Sequence, residues 1–150
     1  MAGEIQNVEQ VYFDDLNLVE NTVYYYRVVV VDQAGLTTRS NEVQGRTANL
    51  PPPPVTLAPG TDLDFTAATL SWSASGVHDF ASYKLFRDTQ STVTSASALV
   101  AELKDRDATA YRDTTLESGH TYYYRVYVVD DGVTPKPEQT GSNVVEVTTP

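Results

Sequence analysis

Two histidines, several paired carboxylates and no cysteine set the chemical repertoire of this 150-residue chain. His78 and His120 both fall in segments that read as turns, and neither has a second ligand at metal-binding spacing. Asp62/Asp64, Asp105/Asp107 and Asp130/Asp131 are the paired carboxylates. Acid–base work by such pairs needs a cleft that shifts their pKa values. No Gly-x-Ser-x-Gly elbow and no phosphate-binding loop occurs. Asp130-Asp131-Gly132, with Asp79, can place oxygens near one loop, but there is no EF-hand spacing and these residues read better as solvated turn formers. Without cysteine there are no disulfides, no thiol catalysis and no cysteine zinc sites. No catalytic residue, metal ligand or cofactor is expected.

The more informative residues lie on one aromatic run, Thr121-Tyr122-Tyr123-Tyr124-Arg125-Val126-Tyr127-Val128-Val129-Asp130. Aromatic and β-branched residues ending in Asp before a turn read as a long central strand. Alternation puts Tyr122, Tyr124, Val126 and Val128 on one face and Tyr123, Arg125 and Tyr127 on the other. Lys84 and Phe86 share the second face from a neighbouring strand, whose Tyr83 and Leu85 point to the first. If the first face is the core, the second is an exposed aromatic and cationic stripe. Such a stripe can stack on sugar rings or meet a partner protein. It is also what ordinary cross-strand pairing produces.

The run occurs twice. Val23-Tyr24-Tyr25-Tyr26-Arg27-Val28-Val29-Val30-Val31-Asp32 is the earlier copy, and Tyr24 and Tyr122 stand 98 residues apart. A separation of one small domain length indicates two versions of one β-module. Between them, Ala48-Asn49-Leu50 leads into four prolines at 51–54, a stiff linker or strand edge that cannot donate to a ladder. Three segments result: residues 1–48, a linker at 49–54, and residues 55–150.

Short strands are expected at residues 5–8 and 11–13, a long one at 24–31, and another at 42–46. Beyond the linker, strands are expected at 68–74, with Leu70 and Trp72 on one face, and at 82–87, 99–103, 110–112, 122–129 and 144–148. Residues 89–97 and 132–141, the latter with Pro135 and Pro137, read as loops. No helical periodicity appears. Seven short strands with turn signals between them read as an antiparallel sandwich.

The net charge of −10 is spread over both parts: residues 1–50 carry 7 acids and 3 bases, residues 51–150 carry 13 and 7. It favours solubility and argues against nucleic acid and anionic membranes, which need clustered Lys and Arg. No run of about 18 apolar residues occurs, so no membrane insertion is expected. Met1-Ala2-Gly3-Glu4 has neither the basic nor the apolar region of a signal peptide. The chain is expected to be cytosolic or a piece of something longer. Neither an Arg-Gly-Asp run nor an Asn-x-Ser/Thr site is present.

These residues resemble the fibronectin type III family. Leu116, Tyr122, Tyr124 and Val126, with Trp72 on the second strand and Tyr83 on the third, follow its pattern, and Leu18, Tyr24 and Val28 repeat the spacing. The Asp32-Gln33-Ala34-Gly35 turn and Ser40-Asn41-Glu42-Val43 are similar to bacterial members. Ser118 departs from the pattern, since many members have proline before the long strand. The resemblance implies an all-β, immunoglobulin-like, seven-stranded sandwich, complete over 55–150 and represented over 1–48 by its C-terminal half. It implies a core of Leu70, Trp72, Tyr83, Leu85, Leu116, Tyr122, Tyr124, Val126 and Val128. Tyr122 is expected to bond through its hydroxyl to backbone upstream.

In function, it implies a non-catalytic structural or spacer module of a larger secreted or cell-surface bacterial protein, its signal peptide outside this chain. An adhesion, carbohydrate-binding or protein-binding module using Phe86, Tyr123 and Tyr127 is the alternative, and a subunit of an extracellular filament or surface assembly is the third. Residues 1–48 lack the Trp-bearing strand and its neighbours. Upstream polypeptide of the same parent protein is expected to complete them.

Overall fold

Runs of aromatic and β-branched residues form strands because their side chains pack on a pleated surface. The structure, a computed structural model, describes residues 2–132 and 137–150, and no helix occurs among them. Pro135 lies outside the described residues. The chain forms two compact units, Met1–Asn49 and Leu50–Pro150.

The first unit holds β1 (Val23–Tyr26), β2 (Val29–Val31), β3 (Thr37–Arg39) and β4 (Val43–Arg46). β1 pairs antiparallel with β4, and β2 with β3. The single strand expected at 24–31 is therefore two pieces, parted at Arg27 and Val28. The cause is local. Opposite the gap, the chain is irregular and the register shifts by one residue between β3 and β4, where the Val28 amide donates to the Ser40 hydroxyl at 2.9 Å and Ser40 N returns a bond to Val28 O. A side chain replaces the backbone acceptor, and the ladder lapses. Residues 5–8 and 11–13 form no strand, contrary to expectation; Val8 and Val11 are over nine-tenths exposed. They have the composition of strands but no ladder to join.

The second unit holds β5 (Thr61–Asp64), β6 (Ala67–Ser71), β7 (Phe80–Asp88), β8 (Ala98–Leu103), β9 (Ala110–Asp113), β10 (Thr121–Asp130), β11 (Gln139–Gly141) and β12 (Val145–Thr148). One sheet has the order β5-β6-β9; the other has β8-β7-β10, with β11 and β12 in turn on the far side of β10. Every pairing is antiparallel. β5 and β11 carry too little apolar alternation to announce themselves.

Between the sheets lies one apolar cluster that includes Leu57, Leu70, Trp72, Tyr83, Leu85, Leu116, Tyr122, Tyr124, Val126, Val128 and Val147. Trp72 meets Tyr83 edge-on, with ring centroids 5.6 Å apart. β10 is unbroken because β7 runs alongside it, with Leu85 opposite Val126 and Arg87 opposite Tyr124.

The turn before β10 is pinned by Tyr122, whose hydroxyl accepts from the Glu117 amide at 3.1 Å. The bond to upstream backbone exists, but the hydroxyl is the acceptor in it. Gly119, at φ 72°, makes the turn, a left-handed conformation that costs a side chain free energy.

The first unit repeats several hydrogen bonds of this half of the second. Val19 N donates to the Tyr24 hydroxyl at 2.9 Å, as Glu117 N does to Tyr122. Thr47 Oγ1 donates to Val19 O at 2.6 Å, and Thr149 Oγ1 to Glu117 O at 2.6 Å. Val126 N donates to Ser142 Oγ at 3.1 Å, as Val28 N does to Ser40 Oγ. Asn21, at φ 48°, occupies the place of Gly119.

Candidate functional site

β7 and β10 carry the stripe singled out in the sequence, on the face away from the main core. Phe86 was expected to be exposed there. It is buried, at 6% exposure. Val93, in the Ser/Thr-rich segment between β7 and β8, is buried as well, at 1%. Arg125 joins these parts. Its Nη1 donates to Val93 O at 3.3 Å, its Nε donates to Ser142 O at 2.8 Å, and its guanidinium lies 5.2 Å from the centre of the Tyr127 ring. Tyr127 in turn meets Phe86 at 85° with centroids 5.5 Å apart. The cation is thus already engaged by an aromatic face and two carbonyls.

Tyr123 and Tyr127 remain half-buried. Lys84 Nζ lies 4.0 Å from Glu102 Oε1 on β8. Tyr123 lies opposite Glu146 on β12, whose negative charge holds the phenol above its ordinary pKa, helped by slight burial and a hydrogen bond. The structure therefore brings all five stripe residues onto one face, but as a knitted surface with two half-open tyrosines rather than an open platform.

A second polar group lies inside the sandwich and was missed in the sequence. Asp113, 1% exposed, receives Arg87 Nη1 at 2.7 Å and the Tyr124 hydroxyl at 2.9 Å on Oδ2. Thr115 gives Oδ1 its amide at 3.0 Å and its hydroxyl at 2.7 Å. Burial would raise the Asp113 pKa, but the Thr115 bonds, the Tyr124 hydroxyl and the Arg87 charge outweigh it and hold the carboxyl below its usual range. Tyr124 is pushed well above its ordinary value, by burial first and then by Asp113. A carboxylate so fully occupied has no lone pair left for a substrate. Beside it, Arg87, Asp88, Thr89, Ala98 and Tyr122 line a shallow, open hollow, with Arg87 5.0 Å over the Tyr122 ring.

The paired carboxylates serve turns. Asp105 Oδ1 accepts from Asp107 N, Asp64 Oδ1 from Phe65 N, and Asp130 Oδ1 from Gly132 N and Glu138 N at 3.0 and 2.8 Å. His120 Nδ1 lies 2.9 Å from Ser118 O. Asn143 was also missed; its carboxamide accepts from Leu57 N and donates to Leu57 O, both at 2.9 Å, tying the last strand to the start of the unit.

Two antiparallel sheets closed over one core, with the tyrosine-pinned corner before the long strand, define an immunoglobulin-like β-sandwich. Among such sandwiches, the fold is that of the fibronectin type III domain. The domain from human fibronectin type III domain containing protein 3 matches with a TM-score of 0.51 at 23% identity, over 70% of this chain and 92% of that one. The chicken CNTN1 FN1-FN3 domains match with a TM-score of 0.58 at 13% identity, over 92% of this chain and 46% of theirs. The pectate lyase PelI from Erwinia chrysanthemi, solved in complex with tetragalacturonic acid, matches at 25% identity with a TM-score of 0.52, over 63% of this chain and 28% of its own. No family model matches the sequence, and neither does any curated protein. Among the described residues, no helix is long and apolar enough to cross a membrane.

Proposed function

We propose that the chain is a non-catalytic structural module, a spacer within a larger secreted or cell-surface protein of bacterial type. The observation that carries this reading is the state of the stripe: Phe86 is buried, Arg125 is spent on Val93, Ser142 and Tyr127, and the hollow nearby is shallow. Specific small-molecule sites are concave and present convergent unpaired polar groups. Here the polar groups point at one another. The likeness to 28% of a pectate lyase and to part of a three-domain fragment fits a module that serves larger proteins. The acidic charge fits a soluble surface.

A second reading is a glycan-binding or protein-binding module, favoured by Tyr127, a half-open ring held rigid between Phe86 and Arg125. Arrays of glycans and of matrix proteins, probed with the whole chain and with Tyr123→Ala/Tyr127→Ala, separate the two. A spacer gives no saturable signal on either array. A ligand bound by the native chain and lost by the double variant overturns the spacer reading.

A further inference from the structure

The first unit matches only the half of the second that runs from the corner to the last strand, and the matched residues differ sharply in exposure. Val28 and Val30 are 65% and 63% exposed, whereas their counterparts Val126 and Val128 are fully buried. The counterparts are flanked by β7, with Leu85 opposite Val126 and Tyr83 opposite Val128, and lie in the cluster between the sheets with Leu57, Leu70 and Trp72. Two polar side chains show the same incompleteness. Asp15 takes the Tyr26 hydroxyl at 3.1 Å, as Asp113 takes Tyr124, but among the described residues no arginine meets it. Asn41, the counterpart of Asn143, makes no side-chain hydrogen bond among them, whereas Asn143 holds both backbone groups of Leu57.

We propose that the β1–β2 side of the first unit accepts an antiparallel strand from polypeptide of the same parent protein preceding residue 1, and that this strand carries an arginine opposite Tyr26. The second unit supplies the pattern: an aromatic residue, an apolar one and an arginine at alternate positions, as in Tyr83, Leu85 and Arg87. The arginine lies across from Tyr26 as Arg87 does from Tyr124 and reaches Asp15. The apolar residue covers Val28 and the aromatic one covers Val30. A backbone segment ahead of that strand takes the Asn41 carboxamide, as Leu57 takes Asn143. This goes beyond the spacer reading and stands whether or not the stripe binds a ligand. Val28 spends its amide and carbonyl on Ser40, so strand alternation turns those of Arg27 and Val29 to the opposite, accepting side.

The test extends the full chain at its N-terminus with a flexible linker and a second copy of residues 50–106, which supplies β7 and the Leu57 segment at high effective concentration. Amide exchange at Arg27 and Val29 is expected to slow about 100-fold or more. Arg87→Leu in the added copy should lose about tenfold of that protection, as a charged hydrogen bond does. Asp15→Asn should erase the difference between the Arg and Leu versions. A synthetic peptide of residues 79–89 at about 1 mM, added to the native chain, gives a second readout should the extension misfold: saturable amide shifts at Arg27 and Val29. The proposal is overturned if those amides respond to neither addition, or if Arg and Leu versions protect equally. It is also overturned if exchange in the native chain slows with protein concentration, which would make a second copy the occupant.

Discussion

The Tyr26 hydroxyl donates to Asp15 Oδ2 at 3.1 Å, the same bond that Tyr124 makes to Asp113 Oδ2 at 2.9 Å. Both phenols are held above their ordinary pKa, by burial and then by the carboxylate. What differs is the third member. Arg87 reaches Asp113 from β7 and offsets part of the shift at Tyr124, and Thr115 closes the remaining lone pairs. At the place of Thr115 the first unit has Asn17, whose φ of 60° takes the chain elsewhere. The pair is one local motif in two settings, one sealed inside a sandwich and one half-open.

Asp113 should make the second unit acid-sensitive. Its native pKa lies below the unfolded value of about 4, so the network contributes fully above that pH and is lost as pH falls through the lower native value. Asp113→Asn removes the charge and sets an amide against Arg87. A cost of about 2–4 kcal/mol at pH 7 is expected, under the full buried-pair figure because Arg87 keeps some contact with water. Urea midpoints at pH 7 and pH 3 check both parts: native protein weakens markedly at low pH, and the variant weakens less.

The corner bond predicts a second pair of outcomes. Tyr122→Phe leaves the Glu117 amide without its acceptor, which costs about 1–3 kcal/mol. At about 4–8 °C per kcal/mol for a domain of this size, the melting shift is easily read. An unchanged melting temperature would remove the corner from the account of stability. Gly119→Ala should cost about 1 kcal/mol for its left-handed backbone. Gly119→Asn should cost less, since Asn tolerates that region and Asn21 occupies it in the first unit.

Much of the fold could be read from strict alternation. Tyr122, Tyr124, Val126 and Val128 differ from Tyr123, Arg125 and Tyr127 by one position, and a half-buried strand allows no other division. Phe86 was misread because alternation gives a face but not what covers it. Phe86 meets the Tyr127 ring and lies opposite Arg125, which also holds the backbone of Val93, a buried apolar residue in a segment whose Ser and Thr content signals a loop. The split at Arg27 and Val28 was hidden for a related reason, since strand propensity says nothing about which neighbours keep a ladder continuous. Arg87, Asp113 and Asn143 were missed because single polar residues carry no periodicity. For Asp113 and Asn143 the signal lay in the repeat: Asp15 and Asp113 stand 98 residues apart, the spacing of the two tyrosines, and Asn41 and Asn143 stand 102 apart, as do Thr47 and Thr149.

Gly141 gives the sharpest test of the stripe. A Cβ at this position would run into the Arg125 guanidinium, so alanine there must displace it. Arg125 is a flexible side chain and can move, but only by leaving Ser142 O and Val93 O. Gly141→Ala should therefore act as Arg125→Leu does, each costing about 1 kcal/mol or somewhat more for lost charged hydrogen bonds. The two changes act on one contact, so the double variant should cost much less than their sum. Faster amide exchange should appear in residues 89–97, where Val93 loses its tether, while β7 and β10 keep their protection. Additive costs, or unchanged exchange in that segment, would mean that Arg125 does not tether the Val93 segment to β10.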